Sequence, residues 1–253
     1  MIKKRLIPLM LSSGDVLLKG KNFSHHRVVG RMESMLRIWS DQEIDELLLI
    51  DIDKTDVKNE AFLEKVEFAC SVVNFPLTVG GKVRNIEYAR ALLRSGADKV
   101  AICSEAIENP TFIEFLANEF GSQAIVVIVD YNWVNGKVQV HSNHATKQHS
   151  LGINDYVYSL QELGVGEIVL QNFELEGSKK GLDIEILREI QDAIQVPLIL
   201  SGGVGNFQHI EEALRHDSVS GVACGSLFYF GDNSPIRARA YLKNAGIPVR
   251  QAR

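Results

Sequence analysis

The chain has 253 residues, of which 45% are hydrophobic and 23% are charged, a balance typical of a globular protein with a sizeable core. A formal net charge of −5 argues against a nucleic-acid binder, because such proteins carry basic patches that neutralise phosphates. The apolar run after the basic amino terminus is broken at once by Pro8, Ser12 and Gly14. This pattern argues against a signal peptide or a membrane span, and we expect a cytoplasmic protein.

Short apolar runs rich in valine and isoleucine recur at regular distances along the chain. They lack polar alternation, which is typical of parallel strands buried on both faces of a sheet. The runs are Leu6–Leu11, Leu47–Ile50, Leu77–Val79, Val100–Ile102, Ile125–Val129, Ile168–Leu170, Leu198–Leu200 and Gly221–Ala223. Between them lie stretches with helical spacing, most clearly Glu60–Val72, Asn85–Leu93, Pro110–Ala117, Asn154–Leu163, Asp183–Ile194 and Phe207–Leu214. Eight strands alternating with helices predict an α/β protein that closes into a (β/α)8 TIM barrel.

The connection after the fifth strand is longer than the others. It carries Asn135 and Gly136 between β-prone flanks, in the segment Trp133–Val140. An Asn-Gly pair in this setting predicts a β-hairpin. Because the hairpin follows a strand, we expect it to lie over the mouth of the barrel, where strand-to-helix loops carry function.

An internal repeat supports the barrel independently. The segment Pro76–Asn85 matches Pro197–Asn206 at an offset of 121 residues, and the same offset pairs Cys103 with Cys224 and Glu46 with Glu167. Such a repeat is typical of two half-barrels in tandem, and a doubly wound sheet would not require it. We therefore expect one domain over residues 1–253, with half-barrels at about residues 1–120 and 121–253.

Two glycine clusters follow the last two predicted strands, at the end of the barrel where active sites lie. Glycines let backbone N–H groups approach an anion closely, and the helix start after Gly225 adds a favourable dipole. We favour a phosphate site here over the alternative that the glycines only form tight turns. Its predicted residues are Ser201, Gly202, Gly203, Gly225 and Ser226, with Gly177 from the preceding loop and Lys19 reaching over from a mobile loop.

The first half of the chain predicts a second phosphate site by symmetry. Gly81, Lys82 and Ser104 take the positions that the glycine clusters occupy in the second half, with Lys82 in place of Gly203. A lysine can pair with a phosphate as a point charge, but its side chain can equally block the backbone groups that would bind the anion. Both interpretations stay open.

Acidic residues at strand ends are candidates for proton transfer. Asp130 ends a very apolar strand and is predicted to point into the mouth as a general acid or base. For Asp53, Glu174 and Glu176 a helix N-cap or a solvated loop charge is the favoured interpretation.

Four charged residues open strands at the opposite, amino-terminal end of the barrel. Two are basic and two are acidic, so they can form a salt-bridged plug across the barrel bottom. They are Arg5, Glu46, Lys99 and Glu167.

Histidines and cysteines give no sign of a metal or cofactor site. The histidine spacing matches no helical ligand motif, and the cysteines are too far apart for a zinc knuckle. We expect no metal, no cofactor and three buried, reduced thiols. The residues concerned are His25, His26, His141, His144, His149, Cys70, Cys103 and Cys224.

Over nearly its whole length the chain resembles the cyclase subunit of imidazole glycerol phosphate synthase, a (β/α)8 barrel that works with a class I glutaminase. The most specific segments are Pro76–Asn85, Gly96–Val100, Phe120–Gln123, Gly166–Ile168 with Gly177, and Ser201–Asn206. The resemblance implies that a glutaminase docks on the N-terminal face, that ammonia crosses the barrel, and that a phosphorylated small molecule binds at the opposite face. The four charged residues match the family's gate, which separates this branch from the sister sugar isomerase.

The chain departs from this family at the catalytic positions. The family uses two aspartates, at the ends of the first and fifth strands, as acid and base. Asp130 matches the second, but Leu11 replaces the first, and leucine cannot transfer a proton. Asp15 lies a few residues further on, and the loop over residues 171–176 also differs from the family's pattern.

The leucine-rich end of the first strand resembles that of paralogues of this cyclase in bacterial surface-sugar pathways, and the resemblance implies that the chain supplies ammonia for sugar amidination. We therefore expect a subunit that receives ammonia from a glutaminase and supports nitrogen transfer. One alternative is a genuine cyclase of histidine biosynthesis, and a second is a non-catalytic partner that activates a glutaminase and conducts ammonia. The sister isomerase and a bare ligand-binding barrel are further alternatives.

Overall fold

All eight predicted apolar runs form strands in the computed structural model, which describes residues 3–42, 44–53, 59–190, 193–230 and 232–250. Four further strands lie in two connections between them. In chain order the strands are β1 (Arg5–Ser13), β2 (Val16–Lys21), β3 (Ser24–Arg31), β4 (Leu47–Asp51), β5 (Leu77–Gly80), β6 (Lys99–Ile102), β7 (Ile125–Val134), β8 (Lys137–Ser142), β9 (Lys147–His149), β10 (Glu167–Asn172), β11 (Leu198–Ser201) and β12 (Val219–Cys224).

The helices follow the strands and cover the outside of the sheet. They are α1 (Met32–Asp41), α2 (Asn59–Val72), α3 (Ile86–Arg94), α4 (Ser104–Glu108), α5 (Pro110–Phe120), α6 (Ile153–Glu162), α7 (Ile186–Ile190), α8 (Phe207–Leu214), α9 (Ser226–Tyr229) and α10 (Pro235–Asn244). The predicted helix over Asp183–Ile194 begins only at Ile186, and its residues 191 and 192 lie outside the described part of the chain. No helix in the described ranges is long and apolar enough to cross a membrane.

Eight strands pair in parallel around a closed ring, which confirms the (β/α)8 TIM barrel. The ring runs β1–β4–β5–β6–β7–β10–β11–β12 and closes where β12 pairs with β1. Within the second half, β7 pairs with β10, with Asp130 beside Gln171. The carboxyl ends of all eight strands therefore meet at one mouth.

Strand alternation produces two separate apolar cores. The larger one fills the space between the strands and the surrounding helices. The smaller one fills the inside of the barrel, because alternate residues of parallel strands point inward. Its buried members are Ile7, Leu9, Leu48, Ala101, Val126, Ile128, Val169, Ile199 and Ala223.

Two antiparallel extensions lie at the mouth. The predicted hairpin joins β7 to β8, and its turn residues Asn135 and Gly136 have φ values of 51° and 73°. Positive φ at both positions is what a two-residue hairpin turn requires. The second extension, β2 and β3 after β1, was not predicted, because the polar residues of β3 gave no strand pattern.

Candidate functional site

The upper end of the barrel interior is lined by inward-facing residues from several strands. Leu11, Ile50 and Cys103 pack on the interior apolar core from above. Asp130 shares this level, because its Oδ2 lies 3.3 Å from the Cys103 Sγ, which donates a hydrogen bond to it. Gln171 is paired with Asp130 in the sheet and is also buried. The carboxylate of Asp130 therefore lies at the same level of the barrel as apolar side chains, one of which is that of Leu11.

Burial changes the acid–base behaviour of Asp130. Removal from water raises the pKa of its carboxyl from 3.8 to about 7, while the hydrogen bond from Cys103 opposes part of this rise. A carboxyl with a pKa near neutrality can hold a proton or release it at physiological pH, as a general acid or base must. The Cys103 thiol has a raised pKa, first because it is buried and second because the Asp130 charge is close. It therefore stays protonated and donates to the carboxylate.

Asp15 does not join Asp130 at the mouth. It lies in the turn between β1 and β2, where its side chain is 84% exposed. Its Oδ1 lies 3.5 Å from the Nζ of Lys65, on helix α2. The described geometry therefore gives Asp15 no role as a replacement for the acid that Leu11 lacks.

The residues predicted to bind the first phosphate lie around one small pocket at the mouth. The pocket, which we call the phosphate pocket, lies where the loops after β10, β11 and β12 meet. Its lining includes Lys19, Gly177, Ser201, Gly202, Gly203, Gly225 and Ser226. Sequence reasoning placed these residues together, and the structure brings all seven to one place.

Glycine is required at Gly202 and Gly203 for two reasons. Both have positive φ values, 94° and 98°, which other residues adopt only with strain. A Cβ on Gly202 would strike the Asn172 carbonyl oxygen, and one on Gly203 would strike that of Gly181. The loops after β10 and β11 thus pack backbone against backbone at these two glycines.

Lys19 occupies the phosphate pocket from β2 rather than from a mobile loop. It is 2% exposed, and its ammonium group forms an ion pair with Glu176. The same ammonium lies so close to Gly225 that a Cβ there would lie 2.7 Å from its Nζ. The interpretation of Glu176 as a solvated loop charge is wrong, because its carboxylate is buried against Lys19. Because strand β2 was not predicted, the burial of Glu176 against Lys19 was not predicted either.

The predicted second phosphate site has its polar groups already engaged. The Lys82 Nζ lies 2.7 Å from the Asp51 Oδ2, and the Ser104 Oγ accepts a hydrogen bond of 2.9 Å from the Asn143 N–H. Gly81 has a φ of 106°, and a Cβ there would strike the Asp51 carbonyl oxygen. A phosphate at this position would have to compete with Asp51 for Lys82, just as one in the phosphate pocket would have to compete with Glu176 for Lys19.

The four predicted charged residues form a closed ring at the lower end of the barrel, which we call the charged ring. Arg5 donates to Glu46 at 2.7 Å and also pairs with Glu167. Lys99 completes the ring with contacts of 2.8 Å to the same two carboxylates. Burial disfavours the Glu46 charge, but the pairs with Lys99 and Arg5 and a hydrogen bond from Thr78 outweigh it and lower the pKa of that carboxyl.

Two of the histidines lie in the β7–β9 extension, where each contacts a neighbouring polar side chain. His141 contacts Asn132 at 2.9 Å and His149 contacts Ser142 at 2.9 Å, both within the β7–β9 extension. Across the described residues, no group of three or more histidine, cysteine or acidic side chains is close enough to hold a metal ion.

The chain is similar to a known protein family. The family model described as histidine biosynthesis protein matches residues 6–234 of the chain. The matched segment spans the barrel from β1 to the start of the last helix. It includes Asp130, the phosphate pocket and three members of the charged ring, with Arg5 directly before it.

Proposed function

The chain belongs to the histidine biosynthesis protein family, and from that premise we propose that it is a synthase subunit that receives ammonia from a glutaminase. In this proposal ammonia enters through the charged ring, crosses the barrel to the mouth, where the phosphate pocket holds a phosphorylated small molecule, and supports a nitrogen transfer. The reaction is a nitrogen transfer, for which we propose the amidination of a bacterial surface sugar. The partner is a class I glutaminase on the N-terminal face.

One combination of observations carries the proposal: the charged ring is complete, whereas only one of the family's two acid–base positions at the mouth, that of Asp130, holds an acid. Four ion-pair contacts join Arg5 and Lys99 to Glu46 and Glu167 at the lower end. At the upper end, Leu11 occupies a position at which the family's cyclisation chemistry needs a second proton-transferring group. A chain that keeps the complete charged ring but lacks the second proton-transferring group is suited to handling ammonia for a different reaction.

The apolar character of the barrel interior supports the proposal that ammonia crosses it in the neutral form. Between the charged ring and Asp130 the inward-facing side chains are apolar, among them Leu9, Val126 and Val169. An apolar passage strongly disfavours the ammonium ion, because removal of a charge from water is costly, but it tolerates a small neutral molecule. Ammonia would therefore arrive at the mouth unprotonated and nucleophilic.

Asp130 supports one second candidate, a genuine cyclase of histidine biosynthesis. Its pKa of about 7, caused mainly by burial, allows one carboxyl to give and take protons at neutral pH. If Asp130 alone can serve as both acid and base, the histidine-pathway reaction does not need an acidic side chain at the position of Leu11.

Turnover of the histidine-pathway phosphoribosyl substrate with an ammonium salt distinguishes the two candidates. We expect no measurable turnover by the natural chain and a gain of activity in Leu11→Asp, because that substitution supplies a second carboxyl at the mouth. Leu11→Asn is the matched control, since it has a similar shape and no acid. Turnover by the natural chain that Asp130→Asn abolishes would contradict the proposal and establish the cyclase.

A further inference from the structure

A second cavity lies beside the phosphate pocket and has a volume of about 290 Å³. The two share Lys19, Gly177 and Ser226 as lining residues, so they are adjacent. The second cavity is otherwise lined by the β2–β3 hairpin and the loops after β10 and β12. We call it the basic cavity, because its further lining includes Lys21, His25, Arg27, Lys179 and Phe230 and contains no acidic residue.

The cations of the basic cavity are not neutralised by neighbouring carboxylates. Lys21, Arg27 and Lys179 are exposed, and none of the three forms an ion pair with a carboxylate among the described residues. Glu176, the nearest buried acid along the chain, pairs with Lys19 on the side of the phosphate pocket. A chain with a net charge of −5 therefore keeps an uncompensated positive cluster next to an anion site.

Phe230 contacts two of these cations through its aromatic ring. The Arg27 guanidinium carbon lies 4.2 Å from the centre of the Phe230 ring, and the Lys179 Nζ lies 5.3 Å from it. Attraction to the face of the aromatic ring offsets part of the repulsion between the two positive groups without satisfying their hydrogen-bond donors. The two cations are thus positioned in advance for an anion that carries more than one negative charge.

We propose that the basic cavity binds the second phosphate of a diphosphate ester whose first phosphate occupies the phosphate pocket. This inference rests on the proposed function and names the substrate class of that site. A monophosphate would use the phosphate pocket alone, whereas adjacent phosphates of one ligand can occupy both cavities because they share lining residues. Arg27 supplies a planar donor group suited to phosphate oxygens, and Lys179 supplies a point charge beside it.

Calorimetric titration of the full chain with inorganic phosphate and with pyrophosphate, at one low ionic strength, tests the inference. We expect pyrophosphate to bind at least about tenfold more tightly than phosphate, which corresponds to about 1.4 kcal/mol. Arg27→Gln and Lys179→Gln should each weaken pyrophosphate binding about tenfold and change phosphate binding less than about twofold. Lys180→Gln is the matched control, because it removes the same charge from the next residue, which does not line the cavity.

The outcomes separate the inference from the proposed function. Equal affinity for the two anions, or an equal loss in Lys180→Gln, would overturn the diphosphate inference and leave the phosphate pocket standing. Failure of the natural chain to bind either anion would remove the phosphate pocket and the diphosphate inference together.

Discussion

Replacement of Glu167 by leucine is expected to destabilise the barrel by about 3 kcal/mol, as measured by the free energy of unfolding in urea. Glu167 contacts both Arg5 and Lys99, and the side chains of these two cations are only 12% and 20% exposed. The substitution leaves the charges of Arg5 and Lys99 facing the single carboxylate of Glu46 at the lower end of the barrel, where they have little access to water. Breaking a buried ion pair by removing one partner costs more than the pair itself contributes, because an unpaired charge stays behind.

A double variant tests whether unpaired charge is the cause. Lys99→Met combined with Glu167→Leu leaves one cation and one anion, Arg5 and Glu46, which are already paired at 2.7 Å. We expect it to be more stable than Glu167→Leu alone, although it carries more substitutions. Glu119→Gln serves as the surface control, because its pair with Arg90 is largely exposed and should contribute less than about 1 kcal/mol. A double variant less stable than the single one would contradict the account of the charged ring.

Asp130→Asn is expected to change how the stability of the chain depends on pH. The carboxyl of Asp130 has its pKa raised from 3.8 to about 7, mainly by burial. Between these two values the folded chain binds the proton and the unfolded chain does not, so stability falls as pH rises. This pKa difference corresponds to a loss of about 4 kcal/mol of unfolding free energy over the whole titration, of which about 3 kcal/mol is lost between pH 5 and pH 8. Asparagine does not ionise and removes this contribution.

The measurement is the difference in unfolding free energy between Asp130→Asn and the natural chain at pH 5 and at pH 8. We expect this difference to shift by about 3 kcal/mol in favour of the variant as pH rises. Asp15→Asn is the control, because it removes an aspartate whose side chain is 84% exposed. A difference that stays constant within about 1 kcal/mol would show that Asp130 does not have the raised pKa that its proposed proton-transfer role needs.

The barrel could be predicted from sequence because it depends on short-range patterns. Continuous apolar runs mark strands buried on both faces, and alternate residues within them separate the interior core from the outer core. The charged ring followed from the same logic, since Glu46 and Glu167 open strands at equivalent places in the two halves. Asn135 and Gly136 predicted the hairpin turn because few other residue pairs adopt its backbone angles.

The parts that escaped prediction depend on contacts between loops. Strand β3 is polar and exposed along most of its length, so it gives no apolar pattern, and its position depends on pairing with β2. Without β2 and β3, nothing placed Glu176 against Lys19 or brought Arg27 onto Phe230. The pairing of Lys82 with Asp51 could not be predicted either. Lys82 lies in a loop and Asp51 at the end of a strand, and tertiary packing decides whether the two side chains meet.

The measurement that tests the central claim most directly is the rate of glutamine hydrolysis by a class I glutaminase from the same organism, with and without this chain. Because the charged ring is proposed to lie at the glutaminase interface, we expect hydrolysis to rise at least about tenfold and to saturate at equimolar barrel. Lys180→Gln, a surface change that lines neither the basic cavity nor the phosphate pocket, should stimulate equally. A hydrolysis rate unchanged by any concentration of the natural chain, together with no complex formation, would contradict the claim that this barrel receives ammonia from such a partner.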